Sequence, residues 1–258
     1  MISLHDITQW GIDHPWSSQD QIEQDLLLSQ AICEIANDRL LGNELVLRGG
    51  TAFHKLFLDE AFRYSEDLDY VRTTAGGIGG IMKRLTDLGQ ELGYRVNTKM
   101  GMYPKVLWKF PFASGGSGKI KIEINTFERS PMLPLSTRPH RIASSYYSGQ
   151  ADVPTFEAAE LVATKIRALY QRSKGRDLFD LWLALDALKL NPDSILEAFP
   201  AYRPENVSGT DMVENLELKL EDAQFCHDLD NLIRLGTPPY DPRKAGALVI
   251  EKLLGRID

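Results

Sequence analysis

The chain has 258 residues, 43% of them hydrophobic and 25% charged, with 20 glycines, 13 prolines and a net charge of −7. That is ordinary globular composition; it excludes a disordered or collagen-like chain, and the length admits one large domain or two small ones. There is no run of about 18 apolar residues and no basic start followed by an apolar stretch, and Cys33 and Cys226 are far apart with no metal-ligand spacing, so neither a membrane span, nor secretion, nor a cysteine scaffold is expected, and the cytoplasm is the expected location.

Ser17 and Ser18 open a long helical pattern carried by Ile22, Leu26, Ile32, Ile35 and Leu40, which Gly42-Asn43 stops. Residues 44–48 read as a short buried strand running into Gly49-Gly50-Thr51, and residues 52–58 as a helix. Residues 63–70 form a turn into a short strand. Glycines 76, 77, 79 and 80 mark a loop, and a helix bearing Ile81, Leu85, Leu88 and Leu92 follows. Strands are expected at 94–99, 105–112 and 119–127, with a glycine-rich turn at 114–118 between the last two. The third alternates, with Ile120, Ile122 and Ile124 on one face and Lys121, Glu123 and Asn125 on the other. About twenty irregular residues are expected after Pro131, then a helix capped by Pro154-Thr155 and running to about Arg172. Further helices are expected at about 176–188, at about 211–235, and ending near Leu254. The layout is α+β: a mixed α/β half over residues 1–150, then a helical half over residues 151–258.

Charge is unevenly spread. Residues 80–129 hold nine Lys and Arg against four acids, and residues 193–230 hold ten acids against two bases. Uneven solvation explains this, and so does a middle region that faces an anion.

Four features carry chemistry. The strand–Gly49-Gly50-Thr51–helix turn lets backbone approach a phosphate at a helix N-terminus, though such turns also occur as plain geometry. Asp67 and Asp69 lie two apart on a strand, so both carboxylates point one way and repel unless a cation joins them; an exposed acidic turn is the alternative. Glu123 on the polar face of a strand is either a third metal carboxylate or a solvated side chain. Residues 161–180 hold five bases and two acids, with Lys165 and Arg172 seven apart on a helix face and Asp177 and Asp180 at i, i+3 on the next. Bases there suit a triphosphate, or else form a solvated helix with a salt-bridged cap.

Taken in order, these features resemble the nucleotidyltransferase superfamily, and more narrowly the AbiEii/AbiGii toxin family of bacterial toxin–antitoxin and abortive-infection systems. The residues are LRGGTAFHKLF (47–57), RYSEDLDY (63–70), KIEIN (121–125) and KIRALYQRSKGRDLFDL (165–181). The resemblance implies a small mixed sheet flanked by helices, with the helical region completing the active site. It implies Mg²⁺- or Mn²⁺-dependent transfer of a nucleoside monophosphate from a nucleoside triphosphate to an acceptor hydroxyl, of RNA such as a tRNA 3′ end or of protein. It also implies a neutralising antitoxin. By position, Gly49, Gly50 and Thr51 would contact the triphosphate, Asp67, Asp69 and Glu123 the metal, and Lys165 and Arg172 the phosphates. Asp177 would be the late catalytic aspartate, with Asp180 a weaker candidate. The gap from Gly50 to Asp67 is longer than in many superfamily members, and the third carboxylate is less firmly defined in the toxin branch.

Other readings are a catalytically inactive triphosphate-, RNA- or partner-binding domain of the same fold, and a haloacid-dehalogenase-type phosphatase, since Asp67 to Val71 matches DxDxV. The phosphatase reading expects an apolar strand before Asp67, where residues 63–66 are mostly polar. The aromatics of the basic stretch, Tyr94, Tyr103, Trp108 and Phe110, are expected in the core, with Tyr103 left open as a base-stacking residue. His54, His140 and His227 show no ligand spacing.

Overall fold

The computed structural model describes residues 2–237 and 239–258 and resolves into two compact units, one of residues 1–130 and 135–156, the other of residues 131–134 and 157–258. The first holds α1 (Leu4–Asp13), α2 (Gln19–Asn37), α3 (Leu41–Glu44), β1 (Leu45–Arg48), α4 (Gly49–Leu56), β2 (Asp67–Arg72), α5 (Gly79–Glu91), β3 (Arg95–Lys99), β4 (Lys105–Pro111), β5 (Ser117–Asn125), β6 (Ser136–Ala143) and β7 (Ser148–Thr155). The second holds α6 (Ala158–Gln171), α7 (Gly175–Asp186), α8 (Pro192–Ala198), α9 (Gly209–Leu220), α10 (Ala223–Cys226) and α11 (Pro242–Lys252). Among the described residues no helix is long and apolar enough to cross a membrane.

One seven-stranded mixed sheet organises the first unit, in the order β3-β4-β5-β2-β1-β7-β6. β2 runs parallel to β5, and β1 parallel to β7; the other neighbouring pairs are antiparallel. Alternation on β4 and β5 sends Val106, Trp108, Ile120, Ile122 and Ile124 to one face, all fully buried. Each such isoleucine contributes about 1.5–3 kcal/mol by burial. Helix α5 packs on β3 and β4, where the Trp108 indole donates to the Leu85 carbonyl at 3.0 Å, and α2 packs on β5, β6 and β7. A buried ion pair, Lys55 Nζ to Asp25 Oδ1 at 2.7 Å, ties α4 to α2, and the Trp10 indole donates to the other Asp25 oxygen at 3.0 Å. Burial, the largest single influence, would raise the Asp25 carboxyl, but the charges of Lys55 and His14 and the hydrogen bonds from Lys55 and Trp10 together hold the group below its ordinary range.

Several expectations need correction. Helix α1 precedes the long helix, nucleated by a capping box in which the Ser3 side chain accepts from the Asp6 amide while Asp6 accepts from Ser3. Gly79 and Gly80 are the first residues of α5, not loop. The segment expected to be irregular forms β6 and β7, whose buried positions His140, Ile142, Ala151, Val153 and Thr155 alternate. Pro139 is tolerated because β6 is an edge strand. Thr155 caps no helix: its hydroxyl donates to the Leu47 carbonyl at 2.8 Å, closing the β1–β7 contact, and α6 begins at Ala158 behind Glu157. The pattern expected to run as one helix over 211–235 stops at Leu220. Asp222 restarts it briefly as α10 by accepting from the Gln224 amide, and turns follow.

Candidate active site

The face of the sheet opposite the isoleucines is built in rungs. Parallel pairing sets Asp67 opposite Lys121 and Asp69 opposite Glu123, and β1 brings Arg48 opposite Asp69. Directly registered residues share a face, so all five side chains meet on the side away from the isoleucines. Lys121 Nζ lies 2.7 Å from Asp67 Oδ2 and 4.0 Å from Glu123 Oε2, and Lys105 Nζ is 2.8 Å from Glu123 Oε2. Arg48 pairs with Glu128 at 2.6 Å, and the Asn125 side-chain amide donates to that glutamate at 3.0 Å.

Asp69 differs from its neighbours. Among the described residues no hydrogen-bond donor or ion-pair partner reaches its carboxylate. Burial, with the Asp67 charge added, pushes its carboxyl above the ordinary 3.8 despite the opposing charges of Arg48 and Lys121.

The glycine turn is pressed onto this carboxylate. Gly49 has φ +80°, and a Cβ there would stand 2.8 Å from Asp69 Oδ2. A Cβ on Gly50 would strike the buried Arg63 guanidinium. Thr51 is buried; its hydroxyl donates to the Asp67 carbonyl at 2.5 Å and lies 2.9 Å from the Ser65 hydroxyl, so it fastens the start of β2 to the start of α4. Gly49→Ala combines a left-handed backbone with this close approach. It is expected to cost about 1–3 kcal/mol of stability and to push Asp69 aside, read as a lowered denaturation midpoint together with lost nucleotide binding.

The second unit carries its own cluster. Lys165 Nζ, on α6, sits 3.2 Å from Asp177 Oδ1 and 2.9 Å from Asp180 Oδ2, both on α7. Arg172 ends α6 in extended backbone rather than continuing its face, and from there grips Asp177 with two bonds of 2.6 and 2.8 Å. Asp177 and Asp180 are wholly buried and Lys165 nearly so. Burial would raise the Asp177 carboxyl, but Lys165 and Arg172 together hold it below 3.8.

The model of the family described as "Nucleotidyl transferase AbiEii toxin, Type IV TA system" matches residues 30–245. The chain belongs to that family. It is a nucleotidyltransferase, of the toxin class of type IV toxin–antitoxin systems. In fold it is similar to MenT4, a nucleotidyltransferase toxin of Mycobacterium tuberculosis H37Rv, with TM-score 0.66 and 16% identity over all of this chain and 91% of that one. A second solved structure, an antigenic nucleotidyltransferase-like protein from Paracoccidioides brasiliensis, gives TM-score 0.43 and 15% identity over 85% of this chain and 96% of that one. No curated protein matches in sequence.

AbiEii chemistry draws on a nucleoside triphosphate and a divalent metal. Among the described residues no three of His, Cys, Asp and Glu converge as a ready-made metal cluster, and Glu123 is engaged by Lys105. Asp67 and Asp69 nevertheless suit a hard cation. They are adjacent oxygen donors, one without any partner and one neutralised only by an ammonium, and Mg²⁺ needs just one or two carboxylates when phosphates complete its shell. Lys121, Lys105 and Arg48 were not singled out from sequence as site residues. Alternation placed Lys121 beside Glu123, but no local signal shows that it faces Asp67.

Proposed function

We propose that this AbiEii enzyme transfers a nucleoside monophosphate from a nucleoside triphosphate to a hydroxyl of RNA, with a divalent cation held by Asp67 and Asp69. The observation that carries this reading is the unpartnered Asp69 carboxylate lying against the Gly49 turn. It joins a cation-seeking pair to the amides of a helix N-terminus, where phosphates are favoured. Bound there, a divalent cation supplies charge neutralisation on the triphosphate and lowers the pKa of the acceptor hydroxyl.

The residues divide the remaining work. The Gly49 and Gly50 amides receive phosphate oxygens, and Thr51 holds the turn against β2. Lys121 balances Asp67. The acceptor oxygen attacks the α-phosphorus in line, the α–β bridging bond breaks, pyrophosphate leaves, and the hydroxyl proton passes to Glu123 or Asp69. On the family pattern Lys165 and Arg172 serve the phosphates and Asp177 serves the chemistry, while Asp180 shares Lys165 with Asp177 and so orients its ammonium. A cognate antitoxin restrains the enzyme.

The test is transfer of label. Purified protein with Mg²⁺ and each α-labelled nucleoside triphosphate in turn, given separate pools of total RNA and total protein, is expected to label RNA. Chelation with EDTA is expected to remove the label. Label only in protein, or labelling that survives chelation, overturns the acceptor or the metal assignment respectively.

A further inference from the structure

Beyond the carboxylates, the same face continues across β4 and β3 as a ladder of cations. The rung holding Asp69 and Glu123 extends through Lys105 on β4 to Lys99 on β3, and a third rung runs Lys119, Lys109, Arg95 straight across β5, β4 and β3. Arg95, Lys99 and Lys119 are exposed and Lys109 half-buried, and among the described residues none of these four has an acidic partner. Like charges directly opposite one another destabilise a sheet. Charged edge residues that block strand addition would account for Arg95 and Lys99 on the edge strand, but not for Lys109 and Lys119 on interior strands.

At the Glu123 end the ladder meets an exposed aromatic pair. The loop between β3 and β4 closes on the end of β5 through the Ile124 amide, which donates to the Pro104 carbonyl at 2.9 Å. There Tyr103 and Phe127 stand edge to face at 6.1 Å, with Phe127 60% exposed. Tyr94, Trp108 and Phe110 are buried, so this pair is what the basic stretch offers to a base.

We propose that this face is the docking surface for the RNA acceptor: the Arg95–Lys109–Lys119 rung and Lys99 take backbone phosphates, and the Tyr103–Phe127 pair stacks an unpaired base beside the carboxylates. The proposal rests on the reading of RNA as acceptor. The unpaired cations reach about 13 Å along β3 and about 10 Å across three strands, a track for a polyanion rather than a pocket for one phosphate. Phosphate contacts give affinity without sequence choice, and aromatic stacking tolerates any base, so the surface selects a single-stranded end by shape and charge.

The test measures binding of bulk tRNA and of a single-stranded oligouridylate by fluorescence anisotropy across a salt series. The triple variant Arg95→Gln/Lys109→Gln/Lys119→Gln removes only mutually repelling charges, so it is expected to fold and to bind triphosphate as wild type does. Its RNA affinity at low salt is expected to fall at least about tenfold, and the logarithmic salt slope to shrink by about 2–3. Phe127→Ala is expected to weaken oligouridylate binding about tenfold with the slope unchanged. Wild-type affinity and slope in the triple variant overturn the docking surface and leave RNA standing as acceptor. Absence of RNA binding by the wild type overturns the surface, and absence of RNA labelling in the transfer assay overturns the reading beneath it.

Discussion

Asp69→Asn is expected to reduce nucleotide transfer by about 10³-fold or more while raising the melting temperature by about 2 °C. The two effects share one cause. Asp69 is held charged in a site that disfavours the charge, first through burial and then through Asp67, and no described donor compensates it. An amide of the same shape removes that unfavourable charge and with it the ligand the cation requires, the usual exchange of stability for function at an active site. The pH dependence carries the same sign. Because the folded-state value lies above 3.8, folding takes up a proton, and the stabilisation present below 3.8 is lost as pH rises through the folded value. Thermal unfolding of both proteins between pH 3 and 7 measures this: the wild type weakens with rising pH in that window relative to the Asn variant. A variant that retains transfer, or melts several degrees lower, overturns the assignment of Asp69.

Lys165→Met is expected to destabilise the helical unit by about 3–5 kcal/mol, read as a lowered urea midpoint. Lys165 is one ammonium serving two wholly buried carboxylates, and removing it leaves Asp180 without that ion pair and Asp177 with Arg172. Breaking a buried ionic cluster from one side is far more costly than never having built it. Arg172→Gln, whose side chain is half exposed, is expected to cost only about 1–2 kcal/mol and is the cleaner probe of phosphate binding. Acid acts here with the opposite sign to Asp69. The Asp177 carboxyl lies below 3.8 when folded, so its contribution is present above 3.8 and lost as pH falls further. A Lys165→Met variant as stable as wild type removes the cluster from the account of how this unit holds together.

Much of the site was legible because its signals are local. A strand running into two glycines and a helix needs only neighbouring residues to be recognised, and so does an aspartate pair two apart. The segment 136–155 was not legible. Its two eight-residue strands are polar on one side and interrupted by Pro139 and Pro154, so it is their pairing with each other, and of β7 with the distant β1, that makes them strands. Thr51 shows a subtler limit: its place after two glycines suggested a nucleotide contact, yet its hydroxyl is committed to the Asp67 carbonyl.

The sequence by itself determined the family, the glycine turn, the two aspartates and, through strict alternation on β5, which side chains share a face. The tertiary structure decided who meets whom across the sheet: Lys121 against Asp67, Glu123 opposite Asp69 yet held by Lys105, and three interleaved strands presenting Arg95, Lys109 and Lys119 as one rung. The reason is physical. A period of two assigns each residue to a face, but register and strand order come from non-local pairing of the buried apolar faces, and that pairing carries the charged side chains on the opposite face to their partners.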